Sequence, residues 1–456
     1  MSGESDSTMR RFEIVVMGGG PAGAATALGL CRLGYQVALV AEPRPFAAIE
    51  GISERVVAGL RGAGFESFVD VLPDPSRREV NWDGVTSDAN SERLIDRPAF
   101  DLSLWRDLER NGVALLAGRV RRCTARGEVF ELETHLHDEV TMLIEAGFVV
   151  EARGRAAPAA GARRLRGAET VSLLHCRKGP PGEARSAVQS HSDGWAWMAS
   201  RGDGWRYLQL TFDVAERTLP RKKCLQSYCE ERLRILELAR PFVEGSKPVG
   251  IVHARSSTPI LCRNPVGRNW IRVGDAAMAV DPLSGNGVFQ ALSSAMQAPA
   301  VINTMLRRPQ HASLARNFHR ARVDALFHRF ARIGRDFCRL ETRWADRPFW
   351  SRRRAWPDAE PAHAPVTPER VQIREKAVID RGFIVPAEVV VTPADPLGVW
   401  HVGGHAAAPL LRALRELPSG HDPESVLASL LDGDAARAGI VLASMREKGW
   451  VRPRRS

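Results

Sequence analysis

The N-terminal part of the chain begins with an apolar run, a glycine-rich turn and a second apolar run. Residues 12–17 (FEIVVM) precede the turn GGGPAG, the helical pattern AATALGLCRLG follows it, and YQVALVAE is typical of a buried strand. Gly34 stands where a helix C-cap glycine is expected. The pattern therefore predicts a βαβ unit of about 30 residues, the arrangement of dinucleotide-binding folds.

Further hydrophobic patterns extend through the first 265 residues. Residues 96–120 combine an amphipathic helix with a strand, and residues 125–152 have the alternation of strands. From about residue 165 to 265 the chain is rich in strand formers with interspersed Gly and Trp, which indicates a separate sheet.

The remaining chain changes character twice. An arginine-studded helical pattern runs from Pro299 to about Leu340, and a segment rich in Pro, Arg and Trp follows it. The last 80 or so residues predict a strand, FIVPAEVVVT, and then three short helices. Asp422 is a good N-cap residue for the second of these helices, and Gly449 closes the third.

These patterns predict an α/β protein whose Rossmann-type dinucleotide-binding domain is discontinuous. We expect this domain at residues 10–165 and 266–340, with a β-sheet substrate domain inserted at 166–265. A linker at 341–370 then leads to a small α-rich, winged-helix-like domain at 371–456.

Composition narrows the classes of function. The net charge is +11, but only six of the 64 basic residues are lysine and the arginines are spread along the chain, which favours a basic surface over a nucleic-acid site. The seven cysteines contain no CxxC pair, so neither disulfides nor a metal site is expected. Without an apolar signal segment or a membrane span, the expected location is the cytoplasm.

Candidate chemistry starts at GGGPAG, which satisfies GxGxxG. Gly18 permits the tight turn, Gly20 lets the backbone approach a pyrophosphate, and Gly23 lets the helix pack on the strand. Ala22 belongs to the same turn, where the helix N-terminus offers N–H groups to phosphates. Glu42 ends the second strand, where an acid accepts hydrogen bonds from a ribose.

A second motif, GDAAMAVDPLSGNGVFQAL, follows a short strand about 250 residues later. Asp275, directly after Gly274, is placed to hold the ribityl hydroxyls of a flavin. Pro282, Gly285, Asn286 and Gly287 open a helix whose free amides can bind the flavin's pyrimidine end. An NAD enzyme has no need of this second acid, so the pair of motifs favours FAD.

With these motifs the chain resembles the FAD-dependent aromatic hydroxylases and their relatives, the tryptophan halogenases, over roughly residues 10–355. DRPAFDLSLW resembles the family's R-x-x-x-D-x-x-L element, which implies that Arg97 contacts the flavin nucleotide. The resemblance places the backbone of Val120 at the adenine ring. VVEARGR resembles the D-A-x-G-R motif, with Glu151 in place of the usual Asp.

Two further features bear on the reaction. GWAWMAS resembles the halogenase signature GWxWxIP without its Ile-Pro, which makes Trp195 and Trp197 candidates for the substrate pocket. Two buried aromatics on one strand face explain the same spacing equally well. The resemblance also implies that halogenation needs a lysine early in the chain, and the first lysine here is Lys178. Halogenation is therefore disfavoured.

With halogenation disfavoured, the expected reaction is monooxygenation. The resemblance implies that reduced FAD reacts with O2 and that the resulting C4a-hydroperoxyflavin hydroxylates an electron-rich ring. NADH or NADPH would reduce the flavin, either directly or through a separate flavin reductase. The catalytic base is unknown at this point, with His175, His191 and His253 as candidates.

The predicted C-terminal domain, residues 371–456, suggests a partner. It resembles the winged-helix peptide-recognition domains of modified-peptide maturation systems, which bind a leader peptide by strand addition. Together with the resemblance to a tryptophan-directed flavin family and the missing early lysine, this makes the chain resemble the flavoprotein monooxygenases of tryptophylquinone maturation. That resemblance implies hydroxylation of a tryptophan in a peptide or protein substrate during tryptophylquinone biogenesis, with neither nucleic acid nor membrane as partner. Three alternatives stay open: a lid or dimerisation role for this domain, hydroxylation of a free small aromatic metabolite, and a non-enzymatic flavin sensor.

Overall fold

The computed structural model describes residues 9–44, 46–88, 90–137, 140–158, 163–215, 219–285, 287–418 and 420–452. The chain forms two compact units, one of Met1–Pro299 with Leu326–Glu360 and the other of Ala300–Ala325 with Pro361–Ser456.

The regular elements are numbered in chain order. The strands are β1 (Arg10–Met17), β2 (Val37–Ala41), β3 (Ile49–Ile52), β4 (Arg77–Trp82), β5 (Val85–Asp88), β6 (Arg93–Asp96), β7 (Ala114–Arg126), β8 (Val129–Leu136), β9 (Thr141–Glu151), β10 (Arg164–Arg166), β11 (Thr170–Lys178), β12 (Ala184–His191), β13 (Gly194–Arg201), β14 (Trp205–Asp213), β15 (Lys247–Ser256), β16 (Ile260–Cys262), β17 (Trp270–Arg272), β18 (Met278–Ala279), β19 (Gln372–Asp380), β20 (Phe383–Val391), β21 (His401–Val402) and β22 (His405–Ala406). The helices are α1 (Pro21–Arg32), α2 (Glu54–Ala63), α3 (Arg97–Arg110), α4 (Leu225–Arg234), α5 (Arg240–Val243), α6 (Gly287–Ala295), α7 (Ala298–Arg307), α8 (Ala312–Leu340), α9 (Pro348–Arg354), α10 (Ala407–Glu416), α11 (Pro423–Leu430) and α12 (Ala435–Glu447).

The first sheet of the first unit has a parallel core. β1 lies between β2 and β9, with Ile14 opposite Val37 on one side and Phe148 on the other. β7 extends the parallel core beyond β2, β17 extends it beyond β9, and β8 is antiparallel to β7 and β9. All five residues of β2 are buried, as expected of a strand covered on both faces. The predicted βαβ unit is β1, α1 and β2, and the predicted α/β fold is confirmed.

The second sheet has seven strands in the order β15-β11-β14-β13-β12-β4-β5. Residues 165–265 supply five of them, as their pattern predicts. β4 and β5 come from residues 77–88, inside the segment that we expected to belong wholly to the dinucleotide-binding domain. β4 pairs with β12 in parallel, whereas the other neighbours in this sheet are antiparallel.

The boundaries of the two units differ from the predicted domain boundaries. Trp350, in the predicted linker, is fully buried in a cluster with Val188 and Trp195. Residues 341–360 of that linker belong to the first unit, and residues 361–370 belong to the second. The predicted long helix is interrupted at Pro309, which begins a short 3-10 turn between α7 and α8. In the second unit, Thr304 Oγ1 accepts a hydrogen bond from the backbone N–H of Ile384.

The second unit has its own core. The hairpin β19–β20 and the short pair β21–β22 accompany α10, α11 and α12, the three helices that the pattern predicts. Asp422 caps α11 by accepting from the Ser425 N–H. Leu411, Leu427 and Trp450 pack in the centre of this core. Across the described parts of both units, we find no helix with the length and apolarity that a membrane crossing requires.

Candidate functional site

A cavity of about 1130 Å³ lies in the first unit. It exceeds the roughly 300–1,000 Å³ of typical small-molecule pockets. The predicted site residues that line it are Gly18, Gly20, Ala22, Glu42, Arg97, Val120, Trp195, Trp197, Asp275, Pro282, Gly285 and Gly287. Gly23 and Gly274 lie behind this lining, and Asn286 falls outside the described residues. The cavity thus brings together both glycine motifs, which are far apart in sequence.

In the first glycine turn, Gly23 allows close helix packing and Gly20 opens into the cavity. A Cβ atom at Gly23 would overlap the carbonyl oxygen of Gly18, so this glycine lets α1 approach the turn closely. A Cβ atom at Gly20 would meet no protein atom within 4 Å, so this position opens into the cavity. Gly20 is also the N-cap of α1 and has no side chain to cap it. The free N–H groups at the start of α1 are therefore available to an anion.

The adjoining end of the cavity is formed by β2 and β7. Glu42 forms an ion pair with Arg119, with 2.6 Å between Oε2 and Nη2, and still contributes to the lining. The carbonyl oxygen of Val120 accepts a hydrogen bond of 3.3 Å from Arg153. Arg153 in turn pairs with Glu151, the residue that replaces the family's usual Asp.

Arg97, at the first position of α3, is buried among carboxylates. Its guanidinium lies 2.6 Å from Glu50 Oε1 and 3.0 Å from Asp101 Oδ1. Burial by itself would lower the pKa of Arg97, but the charges of Glu50 and Asp101 outweigh it and raise this pKa. Burial raises the pKa of Asp101, and Arg97 opposes that rise. Arg97 therefore stays charged on the cavity wall.

The second motif contacts the first through a glycine. Gly274 has a φ of +57°, and a Cβ atom there would lie 2.6 Å from the Cβ of Ala22. This close approach places the next residue, Asp275, on the cavity wall, with Oδ2 3.5 Å from Arg155 Nε. Burial raises the pKa of the Asp275 carboxyl, and Arg155 opposes the rise.

The start of α6 forms the other end of the cavity. Gly285 has a φ of +63°, and α6 begins at Gly287, so the N-terminus of this helix faces the cavity lining. The Arg78 Nη1 atom lies 3.4 Å from the position that a Cβ of Gly285 would occupy. The positive partial charge of the α6 N-terminus and the guanidinium of Arg78 therefore both lie at this end of the cavity. Both would stabilise negative charge on a ligand.

Both tryptophans of the GWAWMAS strand line the cavity, and each has a different environment. Trp195 is 2% exposed and packs with Phe349 and Trp350, while its Nε1 atom has no hydrogen-bond partner among the described residues. Trp197 is half-buried and donates a 3.3 Å hydrogen bond from Nε1 to Glu92 Oε1. Trp195 thus belongs to the core and to the pocket wall at once.

The three candidate histidines lie elsewhere. None of them belongs to the described lining of the cavity. Burial lowers the pKa of His175 to about 4, and the ring of His253 packs 5.3 Å from that of Phe46. The cavity instead contains a carboxylate that no sequence motif indicated, Glu92, which is 8% exposed.

The lining fits FAD. An uncapped helix N-terminus suits a pyrophosphate, a carboxylate suits ribityl hydroxyls, and a second helix N-terminus suits the pyrimidine end of the ring. Two buried polar atoms of the lining, Arg78 Nε and Trp195 Nε1, lack a hydrogen-bond partner among the described residues. A polar ligand would satisfy such atoms.

Known proteins resemble the chain along most of its length. It is 47% identical to the solved structure of the peptidyl tryptophan dihydroxylase QhpG, essential for tryptophylquinone cofactor biogenesis, with a TM-score of 0.82 and coverage of 97% of this chain and 100% of that chain. It is 25% identical over 373 residues to the tryptophan 2-halogenase of Chondromyces crocatus, which covers 74% of this chain and 70% of the halogenase.

A third relative is a hydroxylase. The 3-demethoxyubiquinol 3-hydroxylase of Escherichia coli (strain K12) is 27% identical over 318 residues, which are 62% of this chain and 77% of that protein. No protein-family model matches the chain.

Proposed function

The chain is a flavoprotein monooxygenase of the family of the peptidyl tryptophan dihydroxylase QhpG, and we propose that it hydroxylates the indole ring of a tryptophan residue in a peptide or protein substrate during tryptophylquinone biogenesis. The observation that carries this proposal is the 47% identity over 97% of the chain. The cavity supports it, because its volume leaves space for a ring beside a dinucleotide.

FAD is the cofactor, and we assign its parts to the two motifs. The free N–H groups of the first turn of α1, next to Gly20, bind the pyrophosphate, and Asp275 accepts hydrogen bonds from the ribityl hydroxyls. Arg97 holds the nucleotide at the side of the cavity, and the start of α6 at Gly287 stabilises negative charge on the reduced ring. The chemistry that FAD supplies when bound is activation of O2 and delivery of one oxygen atom.

The protein's own task is to orient the substrate ring and exclude water. Trp195 and Trp197 present aromatic surface on one wall of the cavity. Both lie on β13, in the seven-stranded sheet that also contains β4 and β12. An indole packs favourably against such rings, edge on or offset. The two tryptophans therefore position the substrate indole next to the α6 end of the cavity.

The C-terminal unit is the proposed peptide holder. Its hairpin, β19 and β20, is a two-stranded sheet among the described residues. Val390 of β20 bridges to Val399 on the other side of that strand, so the outer edge of β19 is the one without a partner strand in the part of the chain that the structure describes. Such an edge accepts an extended peptide by strand addition. The electrons come from NADH or NADPH, directly or through a flavin reductase.

Mass spectrometry tests the proposed function. Protein loaded with FAD is incubated with NADH, with and without a flavin reductase, and with a tryptophan-containing peptide substrate, free tryptophan and chloride. We expect a gain of ~16 or ~32 Da on the peptide, one or two oxygen atoms inserted by flavin chemistry. Oxygen on free tryptophan alone would indicate a small-molecule hydroxylase, and a chlorinated product would contradict monooxygenation. The matched control is Gly20→Val, which should give no product.

A further inference from the structure

We propose that Glu92 accepts the proton that leaves the substrate ring during hydroxylation. This assignment rests on the proposed function and deepens it, because neither the sequence motifs nor the histidines supply a base in the cavity. Four observations support it: how the backbone of Glu92 is fixed, what its carboxylate contacts, how near it lies to the second glycine motif, and how it differs from the other acids of the lining.

The backbone of Glu92 is fixed immediately before β6. Its N–H donates to the carbonyl oxygen of Ser76 at 3.1 Å, and its own carbonyl oxygen accepts from the N–H of Ser76 at 2.8 Å. The Ser76 hydroxyl donates to the same carbonyl at 2.9 Å. A catalytic group needs a fixed position to act as a base, and this bridge provides it.

The carboxylate itself is held by three neighbours from different strands. Oε1 accepts hydrogen bonds from the Ser186 hydroxyl of β12 and from Trp197 Nε1 of β13. Oε2 lies 3.7 Å from Arg78 Nη1 of β4, which is beyond hydrogen-bonding distance. A Cβ atom at Gly51 of β3 would overlap Oε2, so glycine there makes room for the carboxylate. Oε1 is thus used for orientation, whereas Oε2 keeps the capacity to take a proton.

Glu92 lies near the α6 end of the cavity. The Arg78 guanidinium stands between the carboxylate and Gly285, at 3.7 Å from Glu92 Oε2 and 3.4 Å from the position of a Gly285 Cβ. Trp197 also contacts Glu92. The carboxylate therefore lies beside both Trp197, where we propose that the substrate indole packs, and the start of α6, where we propose that the flavin ring binds.

The other acids of the described lining lie closer to an arginine than Glu92 does, whose carboxylate is 3.7 Å from Arg78. Glu42 pairs with Arg119, Glu50 with Arg97, and Asp275 with Arg155. Asp101 is bound by Arg97 through both carboxylate oxygens, at 3.0 and 3.2 Å. Glu92 is the acid of the described lining that combines near-complete burial with contact to an aromatic of the substrate wall.

Hydroxylation of the ring conserves atoms and electrons. A ring carbon forms a bond to one oxygen atom of O2, which reduced flavin activates with its two electrons. The ring C–H bond breaks, its electron pair returns to the ring, and its proton passes to Glu92 Oε2. The second oxygen atom leaves as water, and the flavin ends oxidised.

The test compares Glu92→Gln with Glu92→Asp and Ser186→Ala, using ring-deuterated and ordinary forms of the substrate that the wild-type protein hydroxylates. Glu92→Gln keeps the shape and the Ser186 and Trp197 contacts but removes the base. We expect its rate of product formation under single turnover to fall by about 10²-fold. FAD affinity and the melting temperature should stay at wild-type values.

The isotope effect separates a base from a structural residue. Loss of the proton is fast with a base present, so the wild-type rate should not depend on ring deuteration. In Glu92→Gln the C–H bond breaks slowly, and deuteration should slow the reaction further. Glu92→Asp should recover part of the rate, and Ser186→Ala should lose less than Glu92→Gln does.

Two outcomes would overturn the assignment: a full rate in Glu92→Gln, or a reduced rate with no isotope effect. A wild-type protein that hydroxylates free aromatic compounds but no peptide would contradict the proposed substrate alone, and the same variants then test Glu92 on those compounds.

Discussion

Replacement of Gly20 by valine tests the first glycine turn without disturbing the packing around it. Gly20 has φ −73° and ψ 178°, an extended backbone that valine adopts readily. The new side chain would enter the cavity, where no protein atom lies within 4 Å of its Cβ. Gly23→Ala is the matched control, because its Cβ would overlap the carbonyl oxygen of Gly18. The two substitutions therefore separate ligand contact from helix packing.

The size of each effect follows from what is lost. A hydrogen bond from a backbone N–H to a charged group is worth about 1.5–3 kcal/mol, so displacing the pyrophosphate from two N–H groups costs about 3–6 kcal/mol. FAD affinity should fall by roughly 10²- to 10⁴-fold. For Gly23→Ala, overpacking against backbone costs about 1–3 kcal/mol of stability.

The assay is titration of apoprotein with FAD, followed by flavin fluorescence, beside thermal unfolding of the apoprotein. Gly20→Val should keep the wild-type melting temperature and lose FAD affinity. Gly23→Ala should lower the melting temperature as well. Normal FAD affinity in Gly20→Val would refute the assignment of this turn to the pyrophosphate. A melting temperature equally lowered in both variants would refute the separation of roles.

Three further predictions concern charged groups. Asp275→Asn should weaken FAD binding in the same titration while leaving the melting temperature of the apoprotein near the wild-type value, because the Asp275 side chain is 39% exposed and its ion pair with Arg155 is 3.5 Å long. Arg97→Met should lower the free energy of unfolding in urea by about 3 kcal/mol, because buried Asp101 loses its nearest guanidinium and keeps the more distant Arg44, 3.6 Å away. His175→Gln should flatten the pH dependence of the melting temperature between 6.5 and about 4, because the wild-type protein loses stability as the pH falls through that window.

Local signals accounted for the parts of the fold that the sequence predicted best. The unit of β1, α1 and β2 follows from one apolar run on each side of a glycine turn, within a single segment. Helices α11 and α12 follow from Asp422 and Asp434, whose side chains accept hydrogen bonds from N–H groups of the first turn. Each of these signals lies within a few residues of its effect.

Features that depend on distant segments were not predictable. The joining of β4 to β12 depends on pairing across about a hundred residues of chain, and β4 carries no local mark of it. Glu92 gains its place from Ser186, Trp197 and Gly51, which belong to three other strands. A lone glutamate before a short strand has no motif around it. Histidines are the side chains that the sequence suggests as a base, and the described lining of the cavity contains none of the three candidates.

The same cavity bears on the choice between oxygen and halogen transfer. We expected a halogenase to carry a lysine early in the chain, and no lysine belongs to the described lining. Lys178, the first lysine, donates from Nζ to the carbonyl oxygen of Asp203 and lies 5.0 Å from the ring of Trp205, away from the lining. The ionisable side chain that contacts Trp197 is a carboxylate, which can accept a proton from a hydroxylated ring. Aromatic halogenation would release the same ring proton, so the preference for hydroxylation rests on the 47% identity to the peptidyl tryptophan dihydroxylase QhpG.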